Sequence, residues 1–351
     1  MAAKTDTIII SINYRLGALG YLAHPALSAE TPGGSGNYGL MDQMASLKWV
    51  RANIGNFGGD PGNVTIYGQS SGAGAVCSML ISPMAKGLFN KAIIESGSCM
   101  KPRTTLTAGE ASGVTFANAV GCTDAATVTT CLRKVWPGIL IANQANYLGG
   151  PKEGGAILPL QPADAIAAGA WNKVPIMTGS TKSENRLLST ALAGITAQGY
   201  VDLVNKTYGA KAAQVLALYP LANYKDPYDA ITQVQTDAGN ACGVEVNART
   251  LTSLTRISTV VRAGAPGRGV GRQQRAGSGE ASCAGGDGDR RGQQREDGSA
   301  AALGGVRRFR PGLGVPLRGG CGPGLVGGAD CRLLAGPLAR ARAAPRAGSS
   351  V

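Results

Sequence analysis

Asn63-Val-Thr-Ile-Tyr67-Gly68-Gln69-Ser70-Ser71-Gly72, followed at once by Ala73-Gly74-Ala75-Val76, is the stretch that decides the fold of this 351-residue chain. A β-branched run from Val64 to Tyr67 climbs to a serine in Gly-x-Ser-x-Gly spacing. A small-residue helix then leaves from Ser71 and meets no proline until Pro83. A sharp strand-to-helix turn of this kind strains the backbone and brings strand and helix close together. Gly68 and Gly72 read as the residues that tolerate it, because neither carries a Cβ to clash. The Ser70 oxygen then stands clear of the backbone, at the positive end of the following helix. This is the sequence form of a nucleophile elbow, and its chemistry is acyl transfer through a serine ester.

The neighbouring segments supply the context that a bare Gly-x-Ser-x-Gly lacks. Upstream lies a buried-strand run, Thr7-Ile8-Ile9-Ile10-Ser11-Ile12, and downstream a third, Ala92-Ile93-Ile94. Between the first two, Leu40, Met44, Leu47, Val50 and Ile54 recur at helical spacing, and Gly55 is read as closing that helix. Strand, helix, strand, elbow, helix, strand is the alternation of a parallel α/β sheet.

Further motifs follow in order. They are Ser11-Ile-Asn13-Tyr14-Arg15-Leu-Gly17, Gly36-Asn37-Tyr38-Gly39-Leu40-Met-Asp42-Gln43, Trp49-Val50-Arg51-Ala-Asn53-Ile54 and Phe57-Gly58-Gly59-Asp60-Pro61. After the elbow comes Gly87-Leu88-Phe89-Asn-Lys91-Ala92-Ile93-Ile94-Glu-Ser96-Gly97. This series resembles the type-B carboxylesterases, the cholinesterase-like branch of the α/β-hydrolases, and continues more loosely to about Ser258. The resemblance implies an α/β-hydrolase fold, with a mostly parallel central sheet and flanking helices. It makes Ser70 the catalytic nucleophile and the amide of Ser71 one oxyanion-hole donor. It places the catalytic acid at Glu184, in Val174-Pro-Ile-Met-Thr178-Gly179-Ser-Thr-Lys182-Ser183-Glu184-Asn185, although Ser183 and Asn185 depart from the family's acid and glycine. Such a carboxylate orients a histidine and stabilises its cation during proton transfer. Arg15 and Asp60 match a buried ion pair of the family, and Ser96 a serine that hydrogen-bonds near the triad.

The base is the difficulty. The chain has one histidine, His24, upstream of the elbow, whereas the resemblance orders the triad as serine, acid, histidine. His24 reads as a loop residue before Pro25, and the family's later His-Gly segment has no counterpart. The Gly-rich oxyanion loop that precedes the Asn-Tyr-Arg segment in the family is also missing, so the expectation is a hydrolase domain incomplete at both ends. The expected activity is carboxylic-ester hydrolysis by a Ser-His-Glu mechanism in an intact parent, with this chain itself nearly inactive. The alternative is a non-catalytic, adhesion-like scaffold of the same fold. No cofactor is implied, and one histidine with no Cys-x-x-Cys gives metal catalysis no support.

Composition changes abruptly near residue 259. Residues 1–258 read as the partial hydrolase domain. Residues 259–351 form a Gly/Arg/Ala-rich, low-complexity tail, and from 260 onward Lys, Ile, Thr, Asn, His, Tyr, Met and Trp vanish. From that point the tail holds 15 arginines against six acidic residues, so it carries most of the net charge of +13. Three readings stand: a disordered extension, a translation in the wrong frame, and a basic nucleic-acid-binding arm. The last is the weakest, because Phe309 is the tail's sole aromatic and base stacking needs more.

Cysteine usage points to an oxidising compartment. Cys122 and Cys131 resemble a short disulfide loop of the secreted family members, against the alternative of two buried free thiols. Cys77 and Cys99 read as small core residues, and Cys242 as a cysteine whose partner lies downstream. The family is extracellular, whereas Met1 to Asp6 carries no apolar signal core and no run is long enough to span a membrane. Residues 104–150 and 186–256 read as Ala/Leu-rich helices. Tyr147, Tyr200, Tyr208, Tyr219, Tyr224 and Tyr228 are either pocket residues or ordinary partly buried ones. The implied partner is a small-molecule ester; its identity and the oligomeric state are not legible.

Overall fold

The run ahead of Ser70 forms β1 (Thr65–Gln69), and Lys91–Glu95 forms β2, paired in parallel from Thr65 opposite Lys91 to Gln69 opposite Glu95. The computed structural model describes residues 2–31, 33–252 and 257–262. Two further strands complete the main sheet after a two-residue parallel pair, β3 (Thr104–Thr105) with β4 (Lys152–Glu153). They are β5 (Ile176–Thr181) and β6 (Ile257–Arg262), giving the order β1-β2-β5-β6 with every pairing parallel. Parallel neighbours need crossover helices, and the chain supplies them.

Seven helices matter below. They are α1 (Pro25–Glu30), α2 (Tyr38–Asn53), α3 (Ser71–Ile81), α4 (Leu106–Ala119), α5 (Glu184–Leu188), α6 (Pro227–Thr236) and α7 (Cys242–Thr252). Leu40 and Met44 of α2, Val76 and Leu80 of α3, Ile94 of β2 and Ile176 of β5 share one core. Burying each such side chain stabilises by about 1.5–3 kcal/mol. A second cluster comes mainly from helices and holds Tyr200, Tyr219, Ile231 and Val234. A third gathers Leu22, Phe116, Val128 and Leu132 around Cys122. Over the described residues the Ala/Leu-rich segments are thus mainly helical, and Tyr200 and Tyr219 are core residues with Tyr208 and Tyr224 packed beside them.

Several expectations need correction. Thr7–Ile12 forms no strand: it has no regular secondary structure, and Ile8, Ile9 and Ile10 are about two-fifths exposed. A β-branched run has the propensity for a strand but needs a neighbour's ladder to become one. Its isoleucines Ile10 and Ile12 line a groove with Trp49 and Val50 of α2, and among the described residues β1 remains an edge of the sheet. Helix α2 does not stop at Gly55. It tightens into a 3-10 turn over Ile54–Phe57 and ends at Gly58, whose φ of 78° suits a residue without Cβ.

Arg15 and Asp60 do not pair. Arg15 forks onto Asp42 through Nε (2.8 Å) and Nη2 (2.7 Å), and its own amide bonds the same carboxylate at 2.9 Å. Asp42 stands in the first turns of α2 beside the Arg15 backbone, so the nearer carboxylate wins. Asp60 instead closes a turn onto the Gly62 amide at 2.7 Å. Cys77 and Cys99 are not free core thiols but a disulfide, their Cα atoms 5.1 Å apart. The β–α–β crossover brings the middle of α3 over the turn after β2, within bridging distance. Cys122 and Cys131 form the expected second disulfide, and Cys242 is disulfide-bonded too. The readings of the tail fall on residues that, beyond β6, lie outside the described ones.

Candidate active site

Ser70 sits between β1 and α3 at φ 55° and ψ −116°, a conformation that a non-glycine residue rarely adopts. Such strain costs on the order of 1–3 kcal/mol and persists only where neighbours over-determine it. They do here. The Ser70 amide donates to Glu95 O at 2.9 Å, and its carbonyl accepts from the Gly74 amide at 3.0 Å. A Cβ on Gly68 would stand 2.4 Å from both C and O of Gly72, so strand and helix backbones touch at that point. Gly72 has open space where its Cβ would be, so the demand for glycine rests on Gly68 and not on both. Ser70 and Ser71 are exposed. Ser71 opens α3, where first-turn amides have no acceptor within the helix.

One strand over, the same geometry repeats. Ser96 follows β2 at φ 54°, and its amide donates to Gly179 O of β5 at 2.7 Å. The hydroxyl of this buried serine donates to Glu184 Oε1. That oxygen also accepts from the Thr181 amide at 3.0 Å, where β5 ends. Burial pushes the Glu184 carboxyl up, but the Ser96 hydroxyl and the Thr181 amide and hydroxyl outweigh it and hold it below its ordinary value. The Asn185 amide donates to Thr236 Oγ1 of α6 at 3.0 Å, fixing the start of α5. The carboxyl ends of β1, β2 and β5 therefore bring Ser70, Ser96 and Glu184 to one edge of the sheet, where open α/β sheets place their sites.

His24 is elsewhere. It is buried and caps α1, its Nδ1 accepting from the Ala26 amide at 3.1 Å. Burial lowers its pKa, against a smaller pull from Glu110. Sequence reasoning missed three residues that brace this edge. Arg103 Nη2 donates to Gly74 O at 2.8 Å in the first turns of α3. Thr236 and Asn247 come from distant helices, and only their polar character inside apolar helical faces signals them. Among the described residues no three His, Cys, Asp or Glu side chains converge as a metal site. Two apolar grooves, of about 280 and 320 Å³, are lined around Leu16 and Leu140 and around Ile10 and Trp49; neither includes Ser70 or Glu184.

A parallel sheet with helices on its crossovers and a strained serine elbow at a strand's carboxyl end defines the α/β-hydrolase class. Residues 1–260 match the carboxylesterase family, and the chain belongs to it. It is similar to the fumonisin B1 esterase of Sphingopyxis macrogoltabida, with 35% identity over 248 residues, 70% of this chain and 46% of that protein. It is 36% identical over 233 residues to the para-nitrobenzyl esterase of Bacillus subtilis strain 168, covering 63% of this chain and 46% of that one. Carboxylesterase 1D of Rattus norvegicus is 34% identical over 212 residues, 55% of this chain and 37% of that protein. The chain spans less than half the length of these relatives.

Proposed function

We propose that the protein hydrolyses small carboxylic esters, with Ser70 as nucleophile, Glu184 as the acid that orients the base, and the Ser71 amide as an oxyanion donor. The Ser70 elbow carries this reading, since its strain exposes one hydroxyl at a helix N-terminus. In the intact site Ser70 Oγ gives its proton to an imidazole and attacks the carbonyl carbon. The tetrahedral oxyanion collapses, the alcohol leaves with that proton, and water then cleaves the acyl-serine by the same route. His24, capping α1, is not that imidazole, so this chain alone acylates slowly. The disulfides fit an oxidising, extracellular setting. No helix among the described residues is long and apolar enough to cross a membrane.

A nitrophenyl butyrate assay tests this. The expected rate is well under one turnover per second and close to that of Ser70→Ala, since without a base the residual, on the order of a thousandfold over water, comes from binding and oxyanion contacts that do not need the serine. Covalent labelling therefore decides between the readings: no fluorophosphonate adduct on Ser70 contradicts the nucleophile and favours the non-catalytic scaffold, whose supporting observation is the single, otherwise engaged histidine. Turnover of one per second or faster contradicts the missing base. We further propose that the low-complexity region read from residue 259 is separate only after β6, which carries residues 259–262 into the main sheet. Reading the coding sequence in the other frames from Ser258 to Val261 tests the frame-error origin, which expects a mixed composition with a His-Gly pair.

A further inference from the structure

The turn after β2 is wedged between two helices. A Cβ on Gly97 would stand 2.6 Å from Ala73 Cβ and 3.5 Å from Ser70 O, so the turn runs against the elbow itself. On its other side α7 comes so near that a Cβ on Gly243 would lie 2.8 Å from Ser98 Cβ. Cys99 is bridged to α3 through Cys77. Into this turn reaches Asn247 of α7, fully buried. Its Nδ2 donates to Gly97 O and its Oδ1 accepts from the Cys99 amide, each at 2.8 Å. Both halves of the amide are therefore spent on backbone groups that follow Ser96 directly, and leaving such buried groups unpaired is costly.

We propose that Asn247 is a positioning residue for the site: by bridging Gly97 and Cys99 it holds the strained Ser96 backbone and aims the Ser96 hydroxyl at Glu184. The inference rests on the reading of Glu184 as the site's acid. Ser96 keeps φ 54° without a glycine's freedom, so something outside its own residue must hold it there. Its amide bond to Gly179 fixes one side, and the Asn247 bridge fixes the other. The disulfide anchors only the far end of the turn.

The test uses the full chain labelled with 13C at glutamate side chains, the Glu184 resonance being assigned with Glu184→Gln. Among the described residues the Ser96 hydroxyl and the Thr181 amide hold this carboxyl, so its titration reports the turn. Ser96→Ala raises the midpoint. The expected result for Asn247→Ala, and for Asn247→Leu, which keeps the branching at Cγ if alanine fails to fold, is a rise in the same direction. The S96A/N247A pair rises no further than S96A alone, because both changes remove one interaction. Leu132→Ala, in the separate cluster around Cys122, destabilises the chain without moving Glu184. A midpoint unmoved in both Asn247 variants while S96A shifts it overturns the proposal. A midpoint unmoved even in S96A overturns the Ser96–Glu184 pairing and the proposal with it. The readout needs no turnover, so failure of the ester-hydrolysis reading is seen separately in covalent labelling of Ser70.

Discussion

Strand β2 and the Thr7–Ile12 run carry comparable β-forming sequence, yet β2 and the turn after it are held by partners on several sides while the other run lies partly exposed. Lys91–Glu95 has β1 on one side and β5 on the other, and the residues after it are bonded to Gly179, Glu184, Asn247 and Cys77. Thr7–Ile12 pairs with no strand among the described residues, and its isoleucines rest against the flank of α2. Propensity is the same in both; ladder neighbours and long-range bonds make the difference. The fixed region is also where two serines hold positive φ, so the bonds that order it store the strain of the site.

The largest expected effect lies at the elbow. Gly68→Ala drives a Cβ into the Gly72 backbone and is expected to destabilise by more than about 4 kcal/mol, the exceptional range for one substitution. Gly72→Ala, with open space and a helical position, is expected to be neutral or stabilising by up to about 1 kcal/mol. Urea unfolding of the pair checks both, and equal losses would break the asymmetry drawn here. Next comes the contrast between the two isoleucine runs. Ile94→Ala in β2, fully buried, is expected to cost about 3 kcal/mol. Ile9→Ala is expected to cost under about 1 kcal/mol, and a cost equal to that of I94A would show that the N-terminal run is as ordered as the sheet.

A smaller effect concerns a buried contact far from the elbow. Lys152 is 1% exposed, and its ammonium donates to Gly150 O at 2.5 Å. Burial lowers its pKa to about 8. Because the folded state releases this proton more readily than the unfolded one, stability rises with pH from about 8 toward the unfolded value near 10.5. Lys152→Met is expected to stabilise by on the order of 2 kcal/mol at pH 7 and to flatten that rise. Thermal unfolding from pH 7 to 10 reads it; a wild-type profile unchanged by the substitution would mean the ammonium is solvated.

Much of the fold was legible because it rests on local pattern. Val64 to Tyr67, the small residues after Ser70 and Ala92 to Ile94 each declare their element within a few positions. Glu184 was reachable only through the family resemblance, since nothing in Lys182-Ser183-Glu184 distinguishes it from a surface acid. Contacts across the chain stayed hidden for a physical reason. Arg15 chose Asp42 over Asp60 by backbone proximity, and Cys77 met Cys99 because a crossover folds α3 over the turn. Asn247 lies 150 residues from the carbonyl it binds. Periodicity reports which face a residue occupies, not which distant backbone group it will meet.

The central claim is that the elbow makes Ser70 the one reactive serine of this chain. Prolonged incubation of the purified chain with a fluorophosphonate, followed by peptide mass spectrometry, tests it directly. The expected result is a single phosphonyl adduct on Ser70, formed slowly and absent from S70A; an adduct on Ser71, Ser96 or another serine, or equal labelling of S70A, would contradict it.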